Sequence, residues 1–323
     1  MIRAAIAGLG RWGRHLVEAA AGHPPLKIVR AVEPDMTAAK EFCVRHDLDL
    51  TADLDAVLAD DTIDAVLLAT PHSLHPAQVI ACAAARKQIF CEKPLALTYA
   101  DAARMFGACR AAGVILAVGH NRRFWPSIRA LRETLASGQL GTILHVEGHN
   151  SNENSQKITS GWRLSPEESP GGGLTGAGLH VLDALINLGG PIKTVDAKLY
   201  EQKPPPDPRD SLAALVQFSS GATGMLATVR AAPNIWRVHV FGTKGMAEAR
   251  DENTLTVSPI GGTPQTHTYE PVDSLKVLAE SFADAVEGRA PFLVSTGQML
   301  DLIGAFEAIL ASLETRAPAH ING

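Results

Sequence analysis

The sequence predicts an α/β fold: a doubly wound parallel sheet at the N-terminus, then an α+β domain with a large, mostly antiparallel open sheet. Three observations carry this. Short apolar runs alternate with helical patterns over the first 120 residues. A glycine-rich turn, Gly8-Leu9-Gly10-Arg11-Trp12-Gly13, joins the first run to the first helix. Past Gly119 the alternation gives way to successive strand-like segments closed by two helices. The domains are expected at 1–120 and 121–323.

Ile2 to Ala7 is apolar apart from Arg3 and stops at Gly8, the pattern of a strand buried on both faces. From about Trp12 to Ala21, Leu16, Val17 and Ala20 recur at helical spacing until Pro24-Pro25. Lys27 to Val32 reads as a strand, Met36 to His46 as a helix and Asp53 to Ala59 as a short helix. Asp64 to Ala69 is a strand ended by Thr70-Pro71. A helix (Pro76 to Ala85), a strand (Gln88 to Cys91), a helix (Tyr99 to Ala112) and a strand (Val114 to Val118) complete the alternation. Ser127 to Ser137 is then a helix and Thr142 to His149 a strand. The polar, Gly/Pro-rich stretch from Asn150 to Gly178 has the length of a functional loop. A helix at Leu179 to Leu188 precedes strands at Thr194–Tyr200, Ser211–Phe218, Ala222–Arg230, Trp236–Phe241 and Thr254–Val257. Between the first two of these, Lys203-Pro204-Pro205-Pro206-Asp207-Pro208 reads as a stiff surface loop. Helices at Val272–Glu287 and Thr296–Glu314 close the chain.

The 323 residues are 46% hydrophobic and 20% charged, with a net charge of -5, so no basic field invites nucleic acid or an anionic membrane. No apolar run approaches the roughly 20 residues that span a bilayer. The first residues enter a strand pattern without the features of a leader, and a cytoplasmic protein is expected. The four cysteines (Cys43, Cys82, Cys91, Cys109) show no C-x-x-C spacing and read as buried, reduced thiols. His72 with His75, and His145 with His149, lack the partners or spacing of a ligand set, so no metal is expected.

The glycine turn carries the first chemistry. Gly8 suits a tight strand-to-helix turn, Gly10 clears room for a pyrophosphate, and Gly13 lets the helix pack close to the strand. The helix start, with Leu9, Arg11 and Trp12 around it, offers N–H groups and a partial positive charge to phosphates. Glu33 ends the second strand about 20 residues on, where a carboxylate holds ribose hydroxyls and repels a 2′-phosphate. That favours NAD; Arg11 and Arg30, as candidate phosphate partners, keep NADP open. Thr70 and Pro71 lie at a strand's carboxyl end, where the cofactor crevice of such a sheet runs, with His75 as a further cofactor-side or helix-capping candidate. Glu92-Lys93-Pro94 follows the next strand and sets an ammonium group beside that crevice.

These pieces, with Gly119-His120-Asn121-Arg122-Arg123-Phe124, Trp162-Arg163, Gly171-Gly172-Gly173 and Gly178-Leu179-His180 followed by Asp183, resemble the glucose–fructose oxidoreductase / inositol dehydrogenase / rhizopine catabolism (Gfo/Idh/MocA) family of NAD(P)-dependent oxidoreductases. The resemblance spans residues 8 to 183 in the family's order; the C-terminal sheet matches in general pattern only. It implies a Rossmann domain followed by an open-sheet domain, one sheet face covering the active site and the other commonly making an oligomer interface, hence a homodimer or homotetramer. It also implies Lys93 as the catalytic-site lysine and His180 as the acid/base histidine. Glu92 and Asn121 join the cofactor set. Many members carry an aspartate four residues before the histidine; here that residue is Gly176, so the usual Lys–Asp–His set is incomplete.

Oxidising an alcohol requires a hydride acceptor and a base for the hydroxyl proton. An imidazole such as His180 suits that proton transfer near neutral pH. Lys93 suits the developing alkoxide charge. Without a carboxylate at position 176 the His180 imidazolium loses one charge partner. Arg122, Trp162 and Arg163, with Gly176, are candidate substrate contacts for a small polar ring, sugar or sugar acid. The same side chains also read as a structural ion pair and a loop anchor; Asn152 and Asn154 add hydrogen-bonding capacity nearby. The leading expectation is an NAD(P)-dependent oxidoreductase acting on a secondary alcohol or carbonyl of a sugar, cyclitol, sugar acid or cyclic diol. Its alternatives are an enzyme using NAD transiently for elimination or epimerisation, and a non-catalytic NAD-binding regulator.

Overall fold

The computed structural model describes residues 1–22, 25–153, 155, 161–203 and 209–321. Pro24, Asn154 and residues 204–208 of the proline-rich loop lie outside the described residues. The chain divides into two compact units: Met1–Asn121 with Asp273–Thr296, and Arg122–Val272 with Gly297–Gly323.

The first unit follows the expected alternation: β1 (Ile2–Ala7), α1 (Arg11–Ala20), β2 (Leu26–Val32), α2 (Met36–Arg45), β3 (Asp49–Thr51), α3 (Leu54–Leu58), β4 (Ala65–Leu68), α4 (His75–Ala84), β5 (Gln88–Cys91), α5 (Tyr99–Ala112) and β6 (Leu116–Val118). The strands form one six-stranded sheet in the order β3-β2-β1-β4-β5-β6, and every pairing in it is parallel. Ala4 to Ala7 and Ala65 to Leu68 are buried, as central strands covered on both faces must be. The order reverses between β1 and β4, the position where open α/β sheets bind ligands at their carboxyl ends. Side-chain caps fix helix starts: Asp35 accepts from Ala38 N–H, Asp53 from Asp55 N–H, and Thr98 from Asp101 N–H. Cys43, Cys82, Cys91 and Cys109 are all buried, and burial pushes the Cys82 thiol up to about 12 and that of Cys109 to about 11.

The second unit holds α6 (Pro126–Ala136), β7 (Ile143–Asn152), α7 (Leu179–Gly189), β8 (Ile192–Glu201), β9 (Asp210–Phe218), β10 (Thr223–Arg230), β11 (Ile235–Gly242), β12 (Gly245–Arg250), β13 (Thr254–Pro259) and β14 (Gln265–Thr268). The chain then returns to the first unit for α8 (Ser274–Val286) before α9 (Thr296–Thr315) and β15 (Ala319–His320). Nine strands form one sheet in the order β14-β13-β12-β11-β7-β10-β9-β8-β15. Its pairs are antiparallel except β7 with β10, which run parallel. One face is buried through Val146, Leu212, Ala214, Val216, Leu226, Val238, Val240, Ala247 and Ala249. α7, buried along Leu179 to Leu188, packs on it. Gly148 permits that approach: a Cβ there would stand 2.6 Å from Val181 Cγ1.

Two expectations shift. α8 was read with the second domain, but it belongs to the first unit, where it packs on α1 and sets Phe282 against Phe90 at 6.0 Å between ring centroids. β7 runs to Asn152, three residues into the stretch read as loop, because Asn150 to Asn152 pair with Thr228 to Arg230.

Candidate active site

In the first unit, the glycine turn is built as its spacing demands. Gly8 has φ +90°, and a Cβ on it would lie 2.7 Å from the carbonyl oxygen of Ala69. The turn after β1 therefore lies directly against the end of β4. A Cβ on Gly13 would fall 1.9 Å from Gly8 O, so α1 packs against the turn at a distance only glycine allows. Gly10 differs: a Cβ there would meet no protein atom within 4 Å. Gly10 also precedes the first turn of α1 with no side-chain cap. An open, glycine-cleared helix start of this kind fits a pyrophosphate.

Glu33 lies over the same turn. Its Oε2 accepts the Leu9 N–H at 2.7 Å and its Oε1 the Asp35 N–H at 3.3 Å. Arg30 is engaged elsewhere, its guanidinium 3.2 Å from Asp49 and 2.9 Å from Asp60. Arg11 is exposed at the helix start, 5.7 Å from the Trp12 ring centroid.

Beyond β4, the Thr70 hydroxyl donates to Gln78 Oε1 at 2.6 Å, with Pro71 half-buried next to it. His75, the first residue of α4, is wholly buried. Its Nδ1 lies 3.0 Å from Pro94 O and its Nε2 3.2 Å from Thr70 O. The ring therefore ties the end of β4 to the end of β5 and presents no surface to a nucleotide. Lys93 is half-buried just past β5, joined to Pro94 by a cis peptide bond. Glu92 is buried, its Oε2 3.3 Å from the Lys93 N–H. Gly119 makes room for that carboxylate, since a Cβ there would sit 2.7 Å from Glu92 Oε1. Asn121 Nδ2 donates to Ser274 Oγ at 3.0 Å, tying the end of this unit's first segment to α8.

In the second unit, His180 is buried one residue into α7. It follows a π-turn, Leu174–Gly178, in which Ala177 N–H and Gly178 N–H both reach Gly173 O. Asn150 Nδ2 on β7 donates to Ala177 O at 2.8 Å and holds that turn. Two of the three glycines before it adopt left-handed backbone. Gly171 and Gly172 have φ +73° and +61°, and a Cβ on Gly172 would lie 2.5 Å from Asp210 Oδ2. Asp210 is itself fixed by the Arg230 guanidinium, whose Nε lies 2.9 Å from both carboxylate oxygens. Gly176 stands apart: it is exposed, and a Cβ there would meet nothing within 4 Å. Asp210 and Arg230, the anchor of the triple glycine, were not read from sequence; their 20-residue separation across a strand pair carries no local signal.

Asp183, one helical turn beyond His180, is held by an arginine. Its carboxylate takes the Arg123 guanidinium, with Nη2–Oδ1 at 2.7 Å and both side chains under 5% exposed. Arg122 goes elsewhere, stacked 4.8 Å from the Trp125 ring and 4.4 Å from Trp236. Burial pulls its guanidinium down to about 9, against the opposing pull of Glu252, so it remains a cation at neutral pH. Arg163 lies over the neighbouring Trp162 ring at 4.1 Å. It lines a cavity of about 120 Å³ with Gly171, Gly172, Glu201 and Arg230. The two arginines proposed as substrate contacts thus sit in different clusters.

Residues 2–120 match the Gfo/Idh/MocA model described as an oxidoreductase family with an NAD-binding Rossmann fold, and residues 128–248 match that family's C-terminal domain. The chain belongs to the Gfo/Idh/MocA family. It is 32% identical over 277 residues to 2,7-anhydro-N-acetylneuraminate hydratase of Escherichia coli, covering 81% of this chain and 71% of that one. It is 27% identical over 226 residues to the trans-1,2-dihydrobenzene-1,2-diol dehydrogenase of Bos taurus, covering 70% and 66%. Among solved structures, levoglucosan dehydrogenase in complex with NADH and levoglucosan shares the fold with a TM-score of 0.89 at 23% identity, each chain covered completely. The nicotinamide-dependent oxidoreductase fold expected from the glycine turn is the one this family has. Among the described residues no helix is long and apolar enough to cross a membrane.

Proposed function

We propose that this family member is a dehydrogenase or reductase that moves a hydride between nicotinamide and a secondary alcohol or carbonyl on a sugar, cyclitol, sugar acid or cyclic diol. The observation carrying the reading is the convergence of strand ends in the first unit. The Gly8 turn packs on Ala69 beyond β4, and His75 joins that segment to Pro94, next to Lys93. Gly8, Leu9, Gly10, Arg11, Trp12 and Gly13 hold the pyrophosphate; Glu33, Thr70, Pro71, Glu92 and Asn121 complete the cofactor side. A nicotinamide cofactor held by these residues would supply the hydride acceptor or donor. Lys93 steadies the charge that develops on the substrate oxygen. His180 takes up the hydroxyl proton in oxidation and returns it in reduction. Gly176, Arg122, Trp162 and Arg163 are assigned to the substrate side, and the protein to the cytoplasm as a homodimer or homotetramer.

Lys93→Ala and His180→Ala are each expected to lose at least about 10²-fold in kcat, the usual worth of an acid/base group. Nicotinamide absorbance followed across a panel of sugars, cyclitols and diols measures this, and near-full activity in either variant removes that residue from the mechanism. NAD is expected over NADP, because Glu33 sits on the glycine turn while Asp49 and Asp60 hold Arg30. A lower KM for NADP than for NAD overturns that assignment, and Glu33→Ala is expected to narrow the preference.

A second reading is favoured by relatives whose named reaction is a hydration. Hydration has no net oxidation, so a nicotinamide enzyme performing it must return the hydride it takes. Free NADH accumulating in step with product supports the dehydrogenase; product formed without it supports the transient use.

A further inference from the structure

We propose that His75 is the positioning residue for Lys93, acting through the bond between its Nδ1–H and the Pro94 carbonyl. The proposal rests on the assignment of Lys93 to the active site. It starts from a wholly buried imidazole whose two nitrogens face two backbone carbonyls on neighbouring strand ends, Pro94 O at 3.0 Å and Thr70 O at 3.2 Å. β4 and β5 are paired in parallel up to Leu68 and Cys91, and a backbone bond from Glu92 N–H to Leu68 O at 2.8 Å carries the ladder to the residue before Lys93. Lys93 therefore stands on backbone that the sheet no longer holds. Contacts on both sides of Lys93 take over from the ladder. Upstream, the Glu92 carboxylate lies 3.3 Å from the Lys93 N–H. Downstream, the His75 ring holds the carbonyl of the next residue.

A brace one residue from a side chain governs the direction in which that side chain leaves the backbone, and misplacement by about 1 Å can cost about 10²-fold in rate. The two arms of the ring are chemically unequal. A neutral imidazole has one N–H to give to two facing carbonyl oxygens, so only one arm is a hydrogen bond at a time, and the arm that bears on Lys93 is the one to Pro94. The Thr70 segment has a second tether in the hydroxyl bond to Gln78, whereas the Pro94 arm is the ring's grip on the lysine segment. The His72 ring lies edge-on to the imidazole, 5.8 Å away centroid to centroid.

Amide variants separate the arms. The side-chain nitrogen of asparagine falls near imidazole Nδ1 and that of glutamine near Nε2. His75→Asn thus keeps a donor for Pro94, while His75→Gln keeps one for Thr70. The readout is the resonance of Lys93 after reductive ¹³C-methylation of the full-length protein, assigned with Lys93→Arg, together with the Kd for NADH. His75→Asn is expected to leave the position and titration midpoint of the Lys93 signal near those of wild type. His75→Gln and His75→Leu are expected to move and broaden it. Where turnover is measurable, kcat should fall at least about 10-fold in His75→Gln and stay within about 3-fold in His75→Asn, with KM changing less than kcat. Equal signals in the Asn and Gln variants, or a wild-type signal in both, overturn the proposal. If His75→Leu fails to fold, the Asn and Gln pair still decides. The NMR readout needs no substrate, so failure of the brace separates from failure of the Lys93 assignment, which appears instead as full turnover by Lys93→Ala.

Discussion

Arg122 and Arg123 are adjacent and identical in chemistry, yet the fold gives them opposite environments. Both lie in a 3-10 turn, Asn121–Phe124, where successive side chains leave about 120° apart. Arg123 is turned inward onto Asp183, with Gln298 at 2.8 Å and Asn187 at 3.4 Å filling further donors. Arg122 finds two indole faces, and among the described residues its buried Nη1 has no hydrogen-bond partner. The consequence for Asp183 is testable. Asp183→Ala leaves a buried guanidinium uncompensated and is expected to cost about 3–5 kcal/mol. The double variant Arg123→Met, Asp183→Leu is expected to recover most of that loss, since it removes both charges. Urea unfolding measures both, and a single variant as stable as wild type refutes this account of the pair. The sequence placed Asp183 one helical turn beyond His180 but left open where its carboxylate points. The partner that decides it stands 60 positions away.

At the scale of elements, the larger sheet was legible where apolar and polar residues alternate and silent where they do not. β9 and β10 alternate buried with exposed positions along their length. β14, Gln-Thr-His-Thr, is exposed throughout, and β15 is two residues long, so neither carries a periodic signal. β12 was also passed over, although it holds the polar cluster of the open face. There His239 on β11 lies 2.9 Å from Glu147 on β7 and 3.0 Å from Glu248 on β12. Burial pushes the Glu248 carboxyl up, but the His239 hydrogen bond and Arg250 outweigh it and hold the group below its ordinary value. A carboxyl whose pKa is lowered by folding contributes stability that is full above its unfolded value, about 4.3, and is lost as pH falls through the folded value. Stability should therefore drop below about pH 4.5, and Glu248→Gln should flatten part of that drop. At pH 7 the same variant is expected to cost about 1 kcal/mol, as for other partly exposed pairs. Thermal unfolding from pH 3 to pH 7 checks both, and identical acid profiles for variant and wild type exclude the cluster as a source.

At the scale of the whole chain, the order of elements is not the order of units. The strand–helix alternation ends at β6, and nothing in the periodicity of α8 says that it belongs with what came 150 residues earlier. Its sequence shows an apolar stripe through Leu278, Phe282 and Ala283, but a stripe states only that something covers it. The structure supplies the cover: Phe282 is fully buried, edge-to-face with Phe90 on β5, while α8 also packs on α1 and β2. The nucleotide-binding unit is therefore closed by a segment the chain delivers after completing nearly all of the second sheet. Phe282→Ala is expected to cost about 3–5 kcal/mol, the range for emptying a buried aromatic site. Because the cavity opens behind β5, the loss should fall on the first unit and appear as weaker NADH binding at temperatures where the second unit stays folded. A fragment of residues 1–121 should unfold at a lower urea concentration than the same fragment joined by a flexible linker to residues 273–296. If the two fragments unfold together, or if Phe282→Ala leaves NADH affinity and stability unchanged, α8 is an accessory to the first unit and the strand–helix alternation alone suffices to build it.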